Sequence, residues 1–145
     1  MKKDVTIVIA EDDEGHAFLI KRSLKKAGIT NPVLHLNDGE EVLNYFDRNE
    51  SLFNPDQSSG YILLLDIKMP RVDGIEVLQK MKSDPVLKKI PVIMITTTDA
   101  PDEVDLCHKL GCNSYIVKPI DYEKFIDVVN RLGYFLEIVE IPKTV

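Results

Sequence analysis

One aspartate, Asp66, stands where a carboxylate could do chemistry. It follows the apolar run at residues 61–65 and opens the segment DIKMPRVDG at residues 66–74. A short apolar run predicts a buried parallel strand, and open α/β sheets bind ligands at the carboxyl ends of such strands. Asp73 followed by Gly74 predicts the start of the next helix. Asp66 is therefore predicted to accept a phosphoryl group, to bind a metal ion, or to do both.

Other predicted strands also end in polar residues. Glu11 and Asp12 follow the first strand, Thr96 ends the fourth, and Lys118 ends the fifth. Clustered carboxylates repel one another unless a cation neutralises them, and oxygen ligands favour a hard divalent ion such as Mg²⁺ or Mn²⁺. Lys118 could balance the charge of a transferred phosphoryl group, while the Thr96 hydroxyl could hydrogen-bond one of its oxygens. These parts match phosphoryl transfer to a carboxylate.

Short apolar runs alternate with amphipathic stretches along the chain. The runs predict strands over residues 5–10, 32–36, 61–65, 91–96 and 114–118. Helical spacing predicts helices over residues 14–27, 74–81 and 101–110, one beginning near 38, and one from about 121 to beyond 133. This alternation predicts parallel βαβ units. We expect one α/β domain over residues 1–145, a doubly wound five-stranded parallel sheet.

The charge and the apolar pattern of the chain argue against several classes of function. The net charge is −6, and no basic stripe is visible, which argues against a nucleic-acid partner. No apolar run approaches the length of a membrane span, and the first residues do not resemble a signal peptide. Cys107 and Cys112 are expected to be reduced thiols in a cytoplasmic protein. A zinc site that combined them with His108 would lack further ligands nearby.

The acidic pair, the D-x-x-M-P-x-x-D-G segment, the threonine of the fourth strand and the Lys-Pro pair after the fifth occur together. This joint pattern resembles the receiver domains of response regulators in two-component signalling, from Val5 to about Tyr134. The resemblance implies a flavodoxin-like receiver fold and a Mg²⁺-dependent phosphorelay. A sensor histidine kinase would supply the phosphoryl group, and the domain would catalyse only its own phosphorylation and dephosphorylation. Signalling would proceed through phosphorylation-dependent protein–protein interaction.

The resemblance also assigns a role to each residue of the site. Asp66 would be the phosphoacceptor. Asp12 would bind the metal directly and Glu11 largely through water, with the backbone carbonyl of Lys68 as a further ligand. The Thr96 hydroxyl and Lys118 would bind phosphoryl oxygens, and the size of the Thr97 side chain would control access to the phosphoryl group. Tyr115 would be the aromatic switch that changes its rotamer. The peptide bond before Pro119 would be cis.

Two segments resemble a subfamily, the stand-alone regulators paired with phytochrome kinases. They are the polar stretch at residues 47–60 and the tail at residues 134–142. We expect one face of the last helix to pack on the sheet through Tyr122, Phe125, Val129, Leu132 and Leu136. Apolar residues are left over at Ile126, Val128, Phe135, Ile138 and Val139. They predict a homodimer through the last helix and tail, unless the tail folds back over its own domain.

Two rival functions remain. Phosphatases of the haloacid-dehalogenase type also use a strand-end aspartate with Mg²⁺, but they place a second aspartate two residues later as general acid. That position is Lys68, which cannot donate in this way. A flavodoxin-like cofactor binder is disfavoured because the turns after the strands lack a glycine-rich or hydroxyl-rich phosphate cradle.

Overall fold

The computed structural model of the chain describes residues 1–47 and 60–142. Within these ranges the strands are β1 (Thr6–Ala10), β2 (Val33–Leu36), β3 (Tyr61–Leu65), β4 (Val92–Thr96) and β5 (Ser114–Val117). The helices are α1 (Glu14–Lys26), α2 (Gly39–Tyr45), α3 (Gly74–Ser83), α4 (Pro101–Leu110) and α5 (Tyr122–Ile138), with a 3₁₀ turn at Leu87–Lys89. The predicted flavodoxin-like α/β fold is confirmed. Most of the polar stretch predicted at residues 47–60 lies outside the described residues.

The strand order places the functional edge of the sheet. All pairings are parallel, in the order β2-β1-β3-β4-β5, so the chain reverses its direction of winding between β1 and β3. Ala10 pairs with Leu65, and the backbone N–H of Asp66 donates to the Ala10 carbonyl at 3.1 Å. Glu11 and Asp66 therefore leave the sheet side by side at the switch point, where doubly wound folds bind ligands.

Each sheet face carries its own apolar core. Alternate side chains of β1, including Ile7 and Ile9, pack with residues of α1 and α5 on one face. Val8 and Ala10 point to the other face and pack with residues of α2, α3 and α4. β3 and β4 are buried along their whole length, as expected for central parallel strands covered on both faces.

Aspartates begin four of the helices. The side chains of Asp13, Asp38, Asp73 and Asp121 each accept a hydrogen bond from a backbone N–H in the first turn. This satisfies donors that have no partner within the helix. The predicted role of Asp73 as a helix N-terminal residue is confirmed. Gly111 ends α4 with φ of 102°, a left-handed conformation that favours glycine.

The last helix continues beyond residue 133, as predicted, and buries Phe125, Val129, Leu132 and Leu136. The prediction that Tyr122 packs on the sheet is wrong, because Tyr122 is the first residue of α5 and its side chain is 60% exposed. Phe125, one turn later, is the first buried residue of the helix.

The segment after α5 returns to its own domain. Val139 and Ile141 pack in part against the core between the sheet, α1 and α5. Pro142 lies beside Gly60, where a Cβ atom would come within 2.6 Å of the Pro142 carbonyl oxygen. Val139, Ile141 and Pro142 thus agree with the alternative in which the tail folds back over its own domain. A separate set of side chains stays exposed on α5: Tyr134, Phe135 and Ile138. No helix in the described part of the chain is long and apolar enough to cross a membrane.

Candidate functional site

Three carboxylates converge at the carboxyl edge of the sheet. Glu11, Asp12 and Asp66 each offer an oxygen, and these oxygens all lie within 4.8 Å of one another. Glu11 and Asp66 are buried, whereas Asp12 is exposed to solvent. Three oxygen donors at this spacing fit a hard divalent cation such as Mg²⁺ or Mn²⁺, which would also relieve the repulsion between them. The exposed Asp12 leaves the cluster open on one side.

Lys118 neutralises this cluster from within the protein. Its Nζ forms a short ion pair with Glu11 Oε1 and lies 3.4 Å from Asp66 Oδ2. Lys118 is 3% exposed, so this cation is almost completely desolvated. Burial raises the pKa of Glu11 to about 7, the Lys118 charge opposes that rise, and the Asp66 charge adds to it. Burial is thus the main reason that Glu11 ionises less readily here, and Lys118 compensates for it in part.

Thr96 places a hydroxyl at the same edge. Its backbone carbonyl accepts a hydrogen bond of 2.7 Å from the Lys118 N–H, which joins β4 to the residue after β5. Among the side chains that the structure describes, Thr96 Oγ1 is the buried polar atom without a hydrogen-bond partner. A buried hydroxyl without a partner costs free energy, so it is available to a group that enters the site. Thr97, by contrast, is exposed.

The loop after β3 is held close to Asp66. The Gly74 N–H donates to the Ile67 carbonyl at 2.7 Å. A Cβ atom on Gly74 would lie 2.0 Å from the Asp66 carbonyl oxygen, so no larger residue fits there. The side chain of Lys68, in the same loop, is exposed. The two residues of the Asp-Gly pair thus have separate roles. Asp73 caps the N-terminus of α3, and Gly74 lets the start of α3 approach the backbone of Asp66 closely.

Tyr115 contacts the loop between β4 and α4. Its hydroxyl donates to the Thr98 carbonyl at 2.8 Å, and the side chain is half-buried. The Thr98 hydroxyl in turn donates to Glu103 Oε2 at 2.6 Å. Burial raises the pKa of Tyr115 to about 12, with nearby anionic groups adding to the shift. Tyr115 therefore connects β5 with the loop that follows Thr96.

One expectation about the backbone is wrong. The peptide bond between Lys118 and Pro119 is trans, and no described residue has a cis peptide bond. A trans bond before proline is favoured by about 0.5–1 kcal/mol unless tertiary contacts select the cis form. With the trans bond Lys118 still reaches both Glu11 and Asp66, so the contacts of this site do not require the cis form.

Sequence reasoning missed two histidines at the site. His16 Nδ1 lies 3.2 Å from Lys118 Nζ, and His35 Nε2 lies 2.7 Å from the Glu11 carbonyl oxygen. Neither histidine has a spacing to other ligand-type residues that suggests a site. The available signals were positional: His16 is in the first turn of the helix after the acidic pair, and His35 is on β2, which pairs with β1.

Comparison with known proteins decides the family. Residues 7–130 match the family described as the response regulator receiver domain, which is most of the chain. The chain belongs to this family. The resemblance drawn from the motifs is thereby confirmed, and nothing in the comparisons supports the phosphatase alternative.

This receiver domain is similar to several solved structures. A response regulator receiver domain from Rhodospirillum rubrum is 36% identical, with a TM-score of 0.89 over 95% of this chain and 97% of that one. The phosphorylated cyanobacterial phytochrome response regulator RcpA is 31% identical, with a TM-score of 0.84 over 96% and 99% of the two chains. The Mn²⁺-bound form of Rcp1 is 28% identical, with a TM-score of 0.83 over 94% and 98%. Rcp1 is a response regulator of Synechocystis.

Proposed function

We propose that this protein is a single-domain response regulator over residues 1–145, with an extension after about residue 133, and that Asp66 accepts its phosphoryl group. One observation carries the proposal: the oxygens of Glu11, Asp12 and Asp66 lie within 4.8 Å of one another beside a buried lysine. A strand-end carboxylate in such a setting can act as a nucleophile while neighbouring charges balance the incoming oxygens.

Glu11, Asp12 and Asp66, with the backbone carbonyl of Lys68, would hold Mg²⁺ or Mn²⁺. When bound, the cation would supply positive charge to the phosphoryl oxygens. The family relationship and the Mn²⁺-bound form of Rcp1 support this assignment. A divalent cation beside Glu11 and Asp66 would also favour the charged form of Glu11, whose pKa is raised mainly by burial.

Asp66, Lys118 and Thr96 have different roles in the transfer of the phosphoryl group. An Asp66 carboxylate oxygen attacks phosphorus, and the bond to the donor histidine nitrogen breaks. Lys118 Nζ pairs with a phosphoryl oxygen, which it can reach because it already lies 3.4 Å from Asp66 Oδ2. The Thr96 hydroxyl donates to another oxygen and so gains the partner that it lacks. Thr97, at the exposed rim, limits the access of water.

The donor would be a sensor histidine kinase, and the similarity to RcpA and Rcp1 supports a phytochrome-type photoreceptor as the source of the signal. The protein would act in the cytoplasm and catalyse only its own phosphorylation and dephosphorylation. It would signal through protein contacts, with neither nucleic acid nor membrane as a partner. The net charge of −6 agrees with this view.

A mass measurement tests the proposed function. The intact protein is incubated with acetyl phosphate and Mg²⁺, and we expect one phosphoryl adduct per chain. Excess EDTA should prevent its formation, because the carboxylates then keep their mutual repulsion. An adduct that forms equally well in EDTA would contradict the metal-dependent mechanism. A protein that forms no adduct with either acetyl phosphate or a phosphorylated histidine kinase would refute the function itself.

The switch is expected to run through Thr96 and Tyr115. Phosphorylation should draw Thr96 toward the phosphoryl oxygens, release the bond between Tyr115 and the Thr98 carbonyl, and let Tyr115 turn inward. Thr96→Ala should be phosphorylated but should lose the phosphorylation-dependent change in amide hydrogen exchange over residues 97–118. Thr30→Ala, on an exposed residue far from the site, is the matched control. If Thr96→Ala responds as the parent does, the coupling follows another route.

Association is predicted through the exposed apolar side chains of α5. Phe135 and Ile138 are 48% and 76% exposed on a helix whose other face is already packed. Two-fold pairing of this surface and the tail would bury them. We expect a homodimer at tens of micromolar, weakened at least about tenfold by Phe135→Asp. A variant without the tail is unsuitable for this test, because the truncation would remove Leu136, which is fully buried.

Sedimentation equilibrium measures this association, with and without phosphorylation. Phe18→Asp serves as the control, because Phe18 is 62% exposed on α1 and outside the proposed interface. A parent protein that stays monomeric in both states would end the idea.

A further inference from the structure

The ammonium group of Lys118 has a third partner that the motif does not contain. A lysine ammonium has three N–H donors and no acceptor. Two of them face Glu11 Oε1 and Asp66 Oδ2, and the third faces His16 Nδ1 at 3.2 Å. Because Nζ can only donate, a hydrogen bond over this distance requires a lone pair on Nδ1 and therefore the imidazole proton on Nε2. The same Nδ1 atom lies 3.9 Å from Glu11 Oε1, beyond hydrogen-bond distance.

The His16 ring is fixed by its surroundings. The backbone N–H of His16 donates to Asp13 Oδ1 at 3.0 Å, which places the residue in the first turn of α1. Its ring centroid lies 4.9 Å from that of Phe125, a buried residue of α5. His16 Nε2 faces Asp13 Oδ2 at 3.9 Å. The acceptor offered to Lys118 is therefore held in place by two helices.

The three partners of Lys118 differ in whether they would also attract the divalent cation. In the proposed function, Glu11 and Asp66 also attract the divalent cation, which partly cancels their pull on the lysine. His16 instead presents a ring nitrogen, a ligand atom that Mg²⁺ prefers less than oxygen. It is thus the partner of Lys118 that remains when the carboxylates are engaged by the cation.

We propose that His16 is a positioning residue that holds Lys118 Nζ within reach of the phosphoryl group on Asp66. This inference rests on the proposed function and adds a residue to it. His16 does not touch the reacting atoms in this role. It acts through Lys118, and its contact with Phe125 places the orientation of the lysine under the influence of α5.

Two substitutions of nearly equal shape separate this role from packing. His16→Asn keeps an acceptor in the place of Nδ1, whereas His16→Leu keeps the volume and removes the acceptor. With acetyl phosphate and saturating Mg²⁺, we expect His16→Leu to form the adduct about tenfold more slowly, the effect of one hydrogen bond to a charged group. His16→Asn should stay within about twofold of the parent. Phe18→Leu, on the exposed side of α1, should not change the rate.

A second measurement reads the same bond without phosphorylation. Imidazole ¹⁵N spectra of the metal-free protein should show His16 as the Nε2–H tautomer with Nδ1 unprotonated. An Nδ1–H tautomer would overturn the inference. So would equal rate losses in His16→Leu and His16→Asn, or a His16→Leu variant that forms the adduct at the rate of the parent. A failure of the proposed function is recognised separately, because the parent itself would then form no adduct.

Discussion

Replacing Asp66 with Asn is expected to abolish the phosphoryl adduct. The carboxamide has no anionic oxygen to attack phosphorus, so the rate should fall below about one thousandth of that of the parent. The fold should be retained, because Asn has the same shape as Asp and because the negative charge of Asp66 repels that of Glu11. Intact mass after treatment with acetyl phosphate and Mg²⁺ measures the result.

Asp73→Asn is the matched control for this experiment. Asp73 lies in the same loop, but its side chain accepts a hydrogen bond of 2.9 Å from the Glu76 N–H, a task that Asn performs equally well. This variant should acquire the adduct as the parent does. An adduct that persists in Asp66→Asn would move the phosphoacceptor elsewhere, and peptide mapping would then locate it.

The second large effect is expected from Lys118→Met, on stability. The substitution keeps an unbranched apolar stem and removes the cation that faces Glu11 and Asp66. Leaving buried carboxylates without their cation should lower the free energy of unfolding of the metal-free protein by about 3 kcal/mol at a pH above about 8. Mg²⁺ should stabilise the variant more than the parent, because the metal then supplies the positive charge that Lys118 supplies in the parent.

The loss of stability should depend on pH in a defined direction. Burial raises the pKa of Glu11 to about 7 and Lys118 opposes this rise, so removal of Lys118 should raise the pKa further. A carboxyl with a higher pKa in the folded state than in the unfolded state destabilises the fold as the pH rises through the folded value. Parent and variant then differ above about pH 7, where Glu11 is charged in the parent and still protonated in the variant. The deficit of Lys118→Met should therefore be smallest below about pH 7 and grow as the pH rises above it.

Urea denaturation at several pH values measures this effect, and Lys82→Met is its control. Lys82 is also partly buried, but its Nζ donates to the carbonyls of Lys88 and Ile90 at 3.2 and 2.9 Å. Its loss should lower stability without a deficit that grows above about pH 7 and without the response to Mg²⁺. A deficit of Lys118→Met that stays constant from about pH 6 to about pH 9 would show that Glu11 and Lys118 are not coupled.

The order of strands and helices could be predicted from the sequence because it depends on local patterns. The apolar run at residues 61–65 and the helix start at Asp73 require no information from elsewhere in the chain. The convergence of Glu11, Asp12 and Asp66 could also be predicted, because parallel strands bring their carboxyl ends to one edge. Composition and motif spacing were sufficient for the family.

Tertiary structure alone decided the features that depend on contacts between distant segments. His16 contacts Lys118 across 102 positions of sequence, because the first turn of α1 and the residue after β5 meet at the carboxyl edge of the sheet. The return of Ile141 to its own domain, rather than to a partner, likewise follows from packing that helical periodicity does not encode. The exposure of Tyr122 follows from where α5 meets the sheet. A local pattern specifies which side chains an element can bury, whereas the packing of elements determines which of them meet.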